Sequence, residues 1–415
     1  MRRISLSRGH DRLGKSVGKS DRCPSSFSCF FEMVLRPGDH ALRLKILIAN
    51  CPRKTSSQIV FTKADSNHID SLLALEANHR KGCSRSLTRG VNLWRRRRRK
   101  PIPVINHKDR TPMSSAIPPS IAYVNGHFLA ASEASVSIFD RGFLFADAIY
   151  EVSSVLEGGL VDNAPHLARL QRSMGEIGLS LPLELEEIPG LQRELIRRNR
   201  LQEGLVYLQL TRGPANRDFA FPASPQPTLV MFVQHKSIVD NPAADKGISI
   251  IVSPDIRWAR RDIKTVSLLA ASMAKQAALD AGADDTWMVE NDRITEGSSN
   301  NAWIVGAQGN LITRHLGSDI LPGITRSVVL RLAQEEGLEV EERPFSVAEA
   351  KSAREAFSTS AASFVVPVVR IDDSVIGDGK PGPLTREIRS RYLQSARSSA
   401  RSDIDEARSS QGESR

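Results

Sequence analysis

From residue 121 onward, short apolar runs that read as strands alternate with longer stretches at helical spacing. Ile121–Val124 and His127–Ala130 flank Asn125-Gly126. That dipeptide accepts the positive φ angles of a two-residue turn, so the pair predicts a β-hairpin. Helical patterns at 164–179 and 186–199 precede strand-like runs at Leu205–Thr211 and Thr228–Gln234. A Gly/Pro/Asn-rich loop, Gly213–Pro227, joins those two runs, and a linker at 240–246 contains Asn241-Pro242. A second block opens with a strand at Ile248–Ser253. Its first helix is expected over 265–281, where Val266, Leu269, Met273 and Ala277 recur about once per turn and Gly282 supplies the stop. Strands are expected at 285–290, 302–306, 310–314, 339–344, 356–360 and 364–371, with a helix at 325–336 ended by Gly337. Strands and helices mixed in two blocks predict a two-domain α/β (α+β) body over about 118–395. No internal repeat and no apolar run of membrane-spanning length interrupts it.

The first 112 residues have a different texture. Their apolar runs, Ala41–Ala49 and Ile59–Phe61, are broken by Arg, Ser and Pro. Of the chain's 57 basic and 47 acidic residues, 25 and 8 lie in 1–112, leaving 32 and 39 for the rest. The net charge of +10 therefore describes neither part: the leading segment carries an excess of +17 and the body −7. Arg95–Lys100 is an unbroken basic run. Three readings compete for 1–112: a nucleic-acid arm, an organelle transit peptide (against which Asp11 and Asp21 speak), or a reading frame begun upstream of a functional start at Met113. The third is favoured, because the composition breaks there and a complete domain follows. The domains expected are a basic extension at 1–112, disordered or mis-assigned; a small α/β domain at 113–236; a larger domain at 237–395; and a disordered, Ser/Arg/Glu-rich tail at 396–415.

The body offers few kinds of chemistry. All four cysteines (Cys23, Cys29, Cys51 and Cys83) precede it, with spacings that match no zinc template. Its histidines, His127, His166, His235 and His315, have no metal-ligand spacing. Serine-hydrolase, Walker A and dinucleotide-binding motifs are likewise missing from the sequence. Lysine is scarce after residue 112: Lys236, Lys246, Lys264, Lys275, Lys351 and Lys380. A lysine that forms an imine needs a partly buried site that frees its amine. Lys264 is the candidate, standing before the small and apolar stretch Thr-Val-Ser-Leu-Leu-Ala-Ala-Ser. On pattern alone such a lysine is more often a surface residue at a helix start. Ile294-Thr295-Glu296-Gly297-Ser298-Ser299-Asn300-Asn301 reads either as a polar turn between strands or as a carboxylate site at Glu296. Leu321-Pro322-Gly323-Ile324-Thr325-Arg326 reads either as an ordinary Thr-capped helix start or as backbone N–H groups left free for a phosphate.

Taken in order, several segments resemble the class IV (branched-chain/D-amino-acid type) aminotransferases. They are Asp140-Arg141-Gly142-Phe143 with Asp147–Val152; His166–Leu170; Leu210–Gly213 leading to Arg217–Pro222; Asp255-Ile256-Arg257-Trp258 before Asp262-Ile263-Lys264-Thr265; Thr295–Asn300; and Gly323–Arg326. The resemblance runs from about Tyr123 to Thr385 and leaves out 1–112 and the tail. It implies a small α/β domain plus a larger pseudo-barrel domain that binds pyridoxal 5'-phosphate. It implies Lys264 as the lysine joined to the cofactor, Glu296 as partner of the pyridine nitrogen, and Arg169 with Ile324 and Thr325 as the phosphate cup. Ser299 is expected to touch the cofactor, and Tyr150 to lie near both cofactor and substrate carboxylate. Arg217 matches the arginine that traps the substrate α-carboxylate across a homodimer interface in D-amino-acid enzymes. Two positions depart from the pattern: Phe219 stands where those enzymes often carry His, and Ser360-Ala361-Ala362-Ser363 replaces a hydroxyl-rich stretch near the phosphate.

The reaction implied is ping-pong transamination in the cytoplasm, with Lys264 moving the α-proton: D-alanine and 2-oxoglutarate giving pyruvate and D-glutamate. Small amino acids and 2-oxo acids are the expected partners. A branched-chain L-aminotransferase or an aminodeoxychorismate lyase would share the cofactor residues. A nucleic-acid-binding protein using Arg95–Lys100 is the remote alternative, and the net negative body leaves only the arm for that role.

Overall fold

A computed structural model describes residues 120–412 and, before them, only three strands: β1 (Cys29–Val34), β2 (Ala41–Ile48) and β3 (Ser57–Thr62). These three form one antiparallel sheet, β1-β2-β3, within the segment expected to be disordered or mis-assigned. The basic run Arg95–Lys100 and Met113 lie outside the described residues. The chain divides into two units, Met1–Thr111 and Pro112–Arg415. The second unit contains every segment of the resemblance.

In that unit a six-stranded antiparallel sheet comes first, built from β4 (Ile121–Val124), β5 (His127–Ala130), β6 (Ala148–Leu156), β7 (Gly159–Val161), β8 (Glu203–Thr211) and β9 (Thr228–His235). Its order is β5-β4-β9-β8-β6-β7. The β4–β5 hairpin turns at Asn125 and Gly126, with φ of 45° and 92°, as the dipeptide predicts. Ahead of β6 comes α1 (Arg141–Phe145), and between β7 and β8 come α2 (Asn163–Ile177) and α3 (Ile188–Asn199). Leu167, Leu170 and Leu195 on these helices meet Ile149, Leu208 and Met231 of the sheet in one buried cluster. His166 and Arg169 are buried with Leu170 and Ser173 on the same face of α2, because residues three and four apart share a helix face.

The second sheet is mixed and nine-stranded. Its strands are β10 (Ile248–Pro254), β11 (Asp285–Glu290), β12 (Arg293–Gly297), β13 (Asn301–Val305), β14 (Leu311–Thr313), β15 (Val340–Glu342), β16 (Glu355–Ser360), β17 (Phe364–Ile371) and β18 (Ser374–Val375). The order is β12-β11-β10-β17-β16-β13-β14-β15, with β18 on β17. Strand β10 pairs in parallel with both β11 and β17, whereas β16 pairs antiparallel with β13 and β17. The helices of this half are α4 (Pro242–Lys246), α5 (Leu269–Asp280), α6 (Ile324–Glu335), α7 (Val347–Lys351) and α8 (Pro383–Gly412). This mixed α/β architecture, with a curled larger sheet, is of the fold class expected. Among the described residues no helix is long and apolar enough to cross a membrane.

Two expectations need correction. Residues 396–412 are not a disordered tail but the continuation of α8. Ile388, Tyr392, Ala396 and Ala400 recur every fourth residue and are all buried. The stripe is small in the tail, where Ser and Arg surround it, and composition hides it. Second, α5 starts at Leu269, not at 265. Residues 264–266 are instead bonded to β6: Tyr150 N–H donates to the Lys264 carbonyl (3.0 Å), and Val266 N–H to the Ala148 carbonyl (3.1 Å).

Candidate active site

A cavity of about 180 Å³ lies between the two sheets, lined from β6, α2, the 264 segment, β12 and the loop after it, the start of α6, and the β16–β17 turn. Seven of the eight residues singled out in the sequence line it: Tyr150, Arg169, Lys264, Glu296, Ser299, Ile324 and Thr325. The pairing of 264–266 with β6 holds the Lys264 backbone against the cavity wall, and its Nζ stands 4.2 Å from the centroid of the Tyr150 ring. That amine has no hydrogen bond or ion pair to any described residue. Tyr150 is itself stacked on Tyr207 (5.6 Å), and Tyr207 on Phe232 (4.7 Å).

Glu296 lies on β12 and is 4% exposed, so the stretch read as a possible turn begins in a strand that points a carboxylate inward and turns only at 298–300, before β13. Its Oε2 accepts from Asn301 Nδ2 (3.0 Å) and from the Leu321 backbone N–H (3.1 Å). Its Oε1 accepts from Arg257 Nη1 at 2.5 Å. Burial pushes the Glu296 carboxyl up, and Arg257 opposes that push. Arg257 in turn is held by Asp255, which takes its Nε at 3.0 Å and its Nη2 at 2.7 Å. Burial works against the Arg257 charge, but Asp255 and Glu296 raise its affinity for the proton above the ordinary value.

On the α2 side, Arg169 donates Nε and Nη2 to the two oxygens of Glu151 (2.8 and 2.7 Å) and Nη1 to the Pro322 carbonyl (2.9 Å). His166 Nδ1 also meets Glu151 Oε2, at 2.7 Å. Burial would raise Glu151, but the charge and hydrogen bonds of Arg169, together with the His166 bond, hold it down to about 2. Burial keeps His166 below the ordinary imidazole range. An ionised carboxylate can only accept, so the neutral ring places its proton on Nδ1.

Next to Arg169 the chain leaves donors free. Gly323 caps α6 without a side-chain bond, so the first N–H groups of a twelve-residue helix have no side-chain acceptor. The turn Ala361–Ser363 faces the same cavity through Ala361 and Ala362. A Cβ at Gly323 would lie 2.0 Å from Asn301 Oδ1, so a side chain there would displace Asn301, whose Nδ2 holds Glu296. A guanidinium, a helix N-terminus and a hairpin turn around one small space form a donor set suited to a phosphate. With an unpaired lysine amine and a buried carboxylate in the same cavity, the residues present fit pyridoxal 5'-phosphate.

Arg217 is the residue the chain does not bring in. It is exposed on the 213–227 loop, its guanidinium 5.5 Å from the Phe145 ring centroid. Arg141 anchors that loop by donating Nη1 to the Asp218 carbonyl (2.6 Å), while its Nε binds Asp147 (2.7 Å). Glu151, His166, Asp255 and Arg257 stand inside the motifs that carry the resemblance, yet the sequence alone assigns them no role. A signal is present in the pairing of types, His-x-x-Arg on one helix face and Asp-x-Arg at a strand end, but their partners are distant in sequence.

A family model described as Amino-transferase class IV matches residues 148–371. The D-alanine aminotransferase of Staphylococcus aureus (strain N315) is 36% identical over 279 residues, 66% of this chain and 98% of that protein. That of Bacillus licheniformis is 38% identical over 274 residues, 65% of this chain and 95% of that protein. Among solved structures, the T.th. branched-chain amino acid aminotransferase complexed with N-(5'-phosphopyridoxyl)-L-glutamate aligns with a TM-score of 0.62 at 25% identity, over 67% of this chain and 94% of the other. The Escherichia coli branched-chain amino acid aminotransferase aligns with a TM-score of 0.62 at 23% identity, over 66% and 94%.

Proposed function

This chain belongs to the class IV aminotransferases, and on that premise we propose that it exchanges the amino group of a D-amino acid of the D-alanine type with a 2-oxo acid such as 2-oxoglutarate. The observation that carries the reading is the single cavity in which an unpaired Lys264 amine, the buried Glu296 carboxylate and the donors of Arg169 and α6 come together. The relatives named D-alanine aminotransferase favour the D-amino acid.

Arg169 and the N–H groups of Ile324 and Thr325 would hold the phosphate of pyridoxal 5'-phosphate, with the backbone N–H groups at Ala361 and Ala362 standing where side-chain hydroxyls are missing. Glu296 would hold its pyridine nitrogen, and Ser299, which lines the same cavity, would contact it. The bound cofactor supplies a sink for the electron pair left when the α-proton departs. Lys264 Nζ is the base that takes this proton and the acid that returns it one carbon away. Tyr150 would orient the substrate beside that amine. Arg217 would fix the α-carboxylate by a two-point bond, reaching the cavity of a partner copy in a homodimer. Phe143 and Phe219, exposed by 73% and 81%, support a surface that a second copy covers.

The purified protein is expected to convert D-alanine and 2-oxoglutarate to pyruvate and D-glutamate, and to leave L-alanine unused. Turnover of L-leucine with none of D-alanine would replace this reading with the branched-chain one.

A further inference from the structure

Arg257 spends its three guanidinium nitrogens in two directions. The fork of Nε and Nη2 closes on Asp255, and Nη1 meets Glu296 Oε1 at 2.5 Å. Asp255 is itself fixed: Thr295 Oγ1 donates to its Oδ2 at 2.7 Å, and Arg261 Nη1 stands 3.5 Å from the same oxygen. A planar guanidinium gripped on one edge has no freedom left, so its remaining N–H is aimed. Among the described residues, the partner this N–H meets is the carboxylate on β12.

The charged groups around Glu296 act unequally. Arg257 touches it, Asp255 behind Arg257 opposes that favourable charge, and Lys264 lines the same cavity. Asn301 and the Leu321 N–H add neutral donors. Burial favours the neutral acid, so without Arg257 the carboxyl would compete for a proton with any nitrogen base it faced. A proton resting on Glu296 would leave that base uncharged and weaken it as an electron sink.

We propose that Arg257 is a positioning residue that keeps Glu296 an anion, so that the proton shared between this carboxylate and the cofactor's pyridine nitrogen rests on the nitrogen. The inference rests on the reading of Glu296 as the partner of that nitrogen. Asp255 acts one step further out, by orienting the guanidinium. A role confined to bridging the end of β10 to β12 would make no difference to where the proton lies.

The test uses holoenzyme reconstituted with pyridoxal 5'-phosphate labelled with ¹⁵N in the ring, read by NMR in the parent, Arg257→Met, Arg257→Lys and Glu296→Gln proteins. The parent signal is expected at the protonated position. In Arg257→Met it moves to the neutral position and an infrared band of a protonated carboxylic acid appears. Arg257→Lys retains the charge and returns most of the ring protonation. α-Proton removal from D-alanine slows at least about tenfold in Arg257→Met, with KM little changed. Circular dichroism reports folding, and Arg257→Gln substitutes if the Met variant does not fold. A ring nitrogen that stays protonated in Arg257→Met but not in Glu296→Gln overturns the proposal and leaves Glu296 in place. A nitrogen still protonated in Glu296→Gln removes the pairing itself.

Discussion

Glu151 is where burial and ion pairing oppose each other most sharply, and pairing wins. Its carboxyl is 2% exposed yet held down to about 2 by Arg169 and His166. An unfolded glutamate titrates near 4.5, so the folded state gains about 3 kcal/mol when the group is ionised. The folded value is depressed. That stability is therefore fully present above pH 4.5 and is lost as the pH falls from 4.5 towards 2. Glu151→Gln keeps the shape but strands the buried Arg169 charge, an expected loss of about 3 kcal/mol or more at pH 7. Urea midpoints at a series of pH values check it: the gap between parent and variant should close on acidification, and a gap independent of pH would contradict the pairing account. At Lys264 the expected effect is on chemistry and not stability. Lys264→Ala should lose at least about 10³-fold in kcat. Borohydride reduction of the parent should leave a pyridoxyl mass on the peptide carrying residue 264, and the variant should carry none.

Elements built from continuous patterns were legible in the sequence, and those built on buried polar groups were not. Strand β17, Phe-Val-Val-Pro-Val-Val-Arg-Ile, is an apolar run in a central position, and its expected limits, 364–371, are the observed ones. Strand β6 was missed because Glu151, Ser153 and Ser154 break its pattern, though all three are buried. Their partners lie elsewhere in the chain: Arg169 and His166, Asn163, and the Ala361 carbonyl. The same tertiary pairing decided Lys264, whose segment looks helical locally but is taken by β6. Helix α8 was hidden by its polar composition, and it makes a prediction of its own. A Cβ at Gly159 would lie 2.2 Å from the Ala400 carbonyl oxygen, and Asp403 accepts from Arg193 (2.7 Å) and from the Leu160 N–H (3.0 Å). Truncation after residue 395 should therefore cost about 2–4 kcal/mol, as it removes two buried alanines and these bonds. Gly159→Ala should cost about 1–3 kcal/mol in the full chain by overpacking. In the truncated chain the same substitution should cost almost nothing, since its obstacle is gone, and thermal melts of the four proteins measure that coupling.

At the scale of the whole molecule, one chain holds a cavity equipped for the cofactor but keeps Arg217, the arginine proposed to bind the substrate carboxylate, outside it. Arg217 rides on a loop that Arg141 fixes to α1, so it is placed, not loose, and what it is placed against is the Phe145 ring and the surface around Phe219. An exposed guanidinium on a fixed loop amid exposed phenylalanines suits a site completed by a second copy. Two impaired variants then distinguish a shared site from a self-contained one. On the proposed roles, Lys264→Ala lacks the base but still presents Arg217, and Arg217→Ala lacks the trap but still has Lys264. If each site takes its arginine from the other subunit, a mixed dimer of the two holds one intact site and one doubly damaged site. Unfolding and refolding an equal mixture gives half mixed dimers, so activity should return to about a quarter of the parent value. If each chain supplies its own arginine, neither site of the mixed dimer is intact and the mixture stays as weak as its parts. KM for D-alanine in the refolded mixture adds a second reading: a restored site should show the parent KM at reduced kcat, whereas residual turnover by Arg217→Ala alone should show a raised KM.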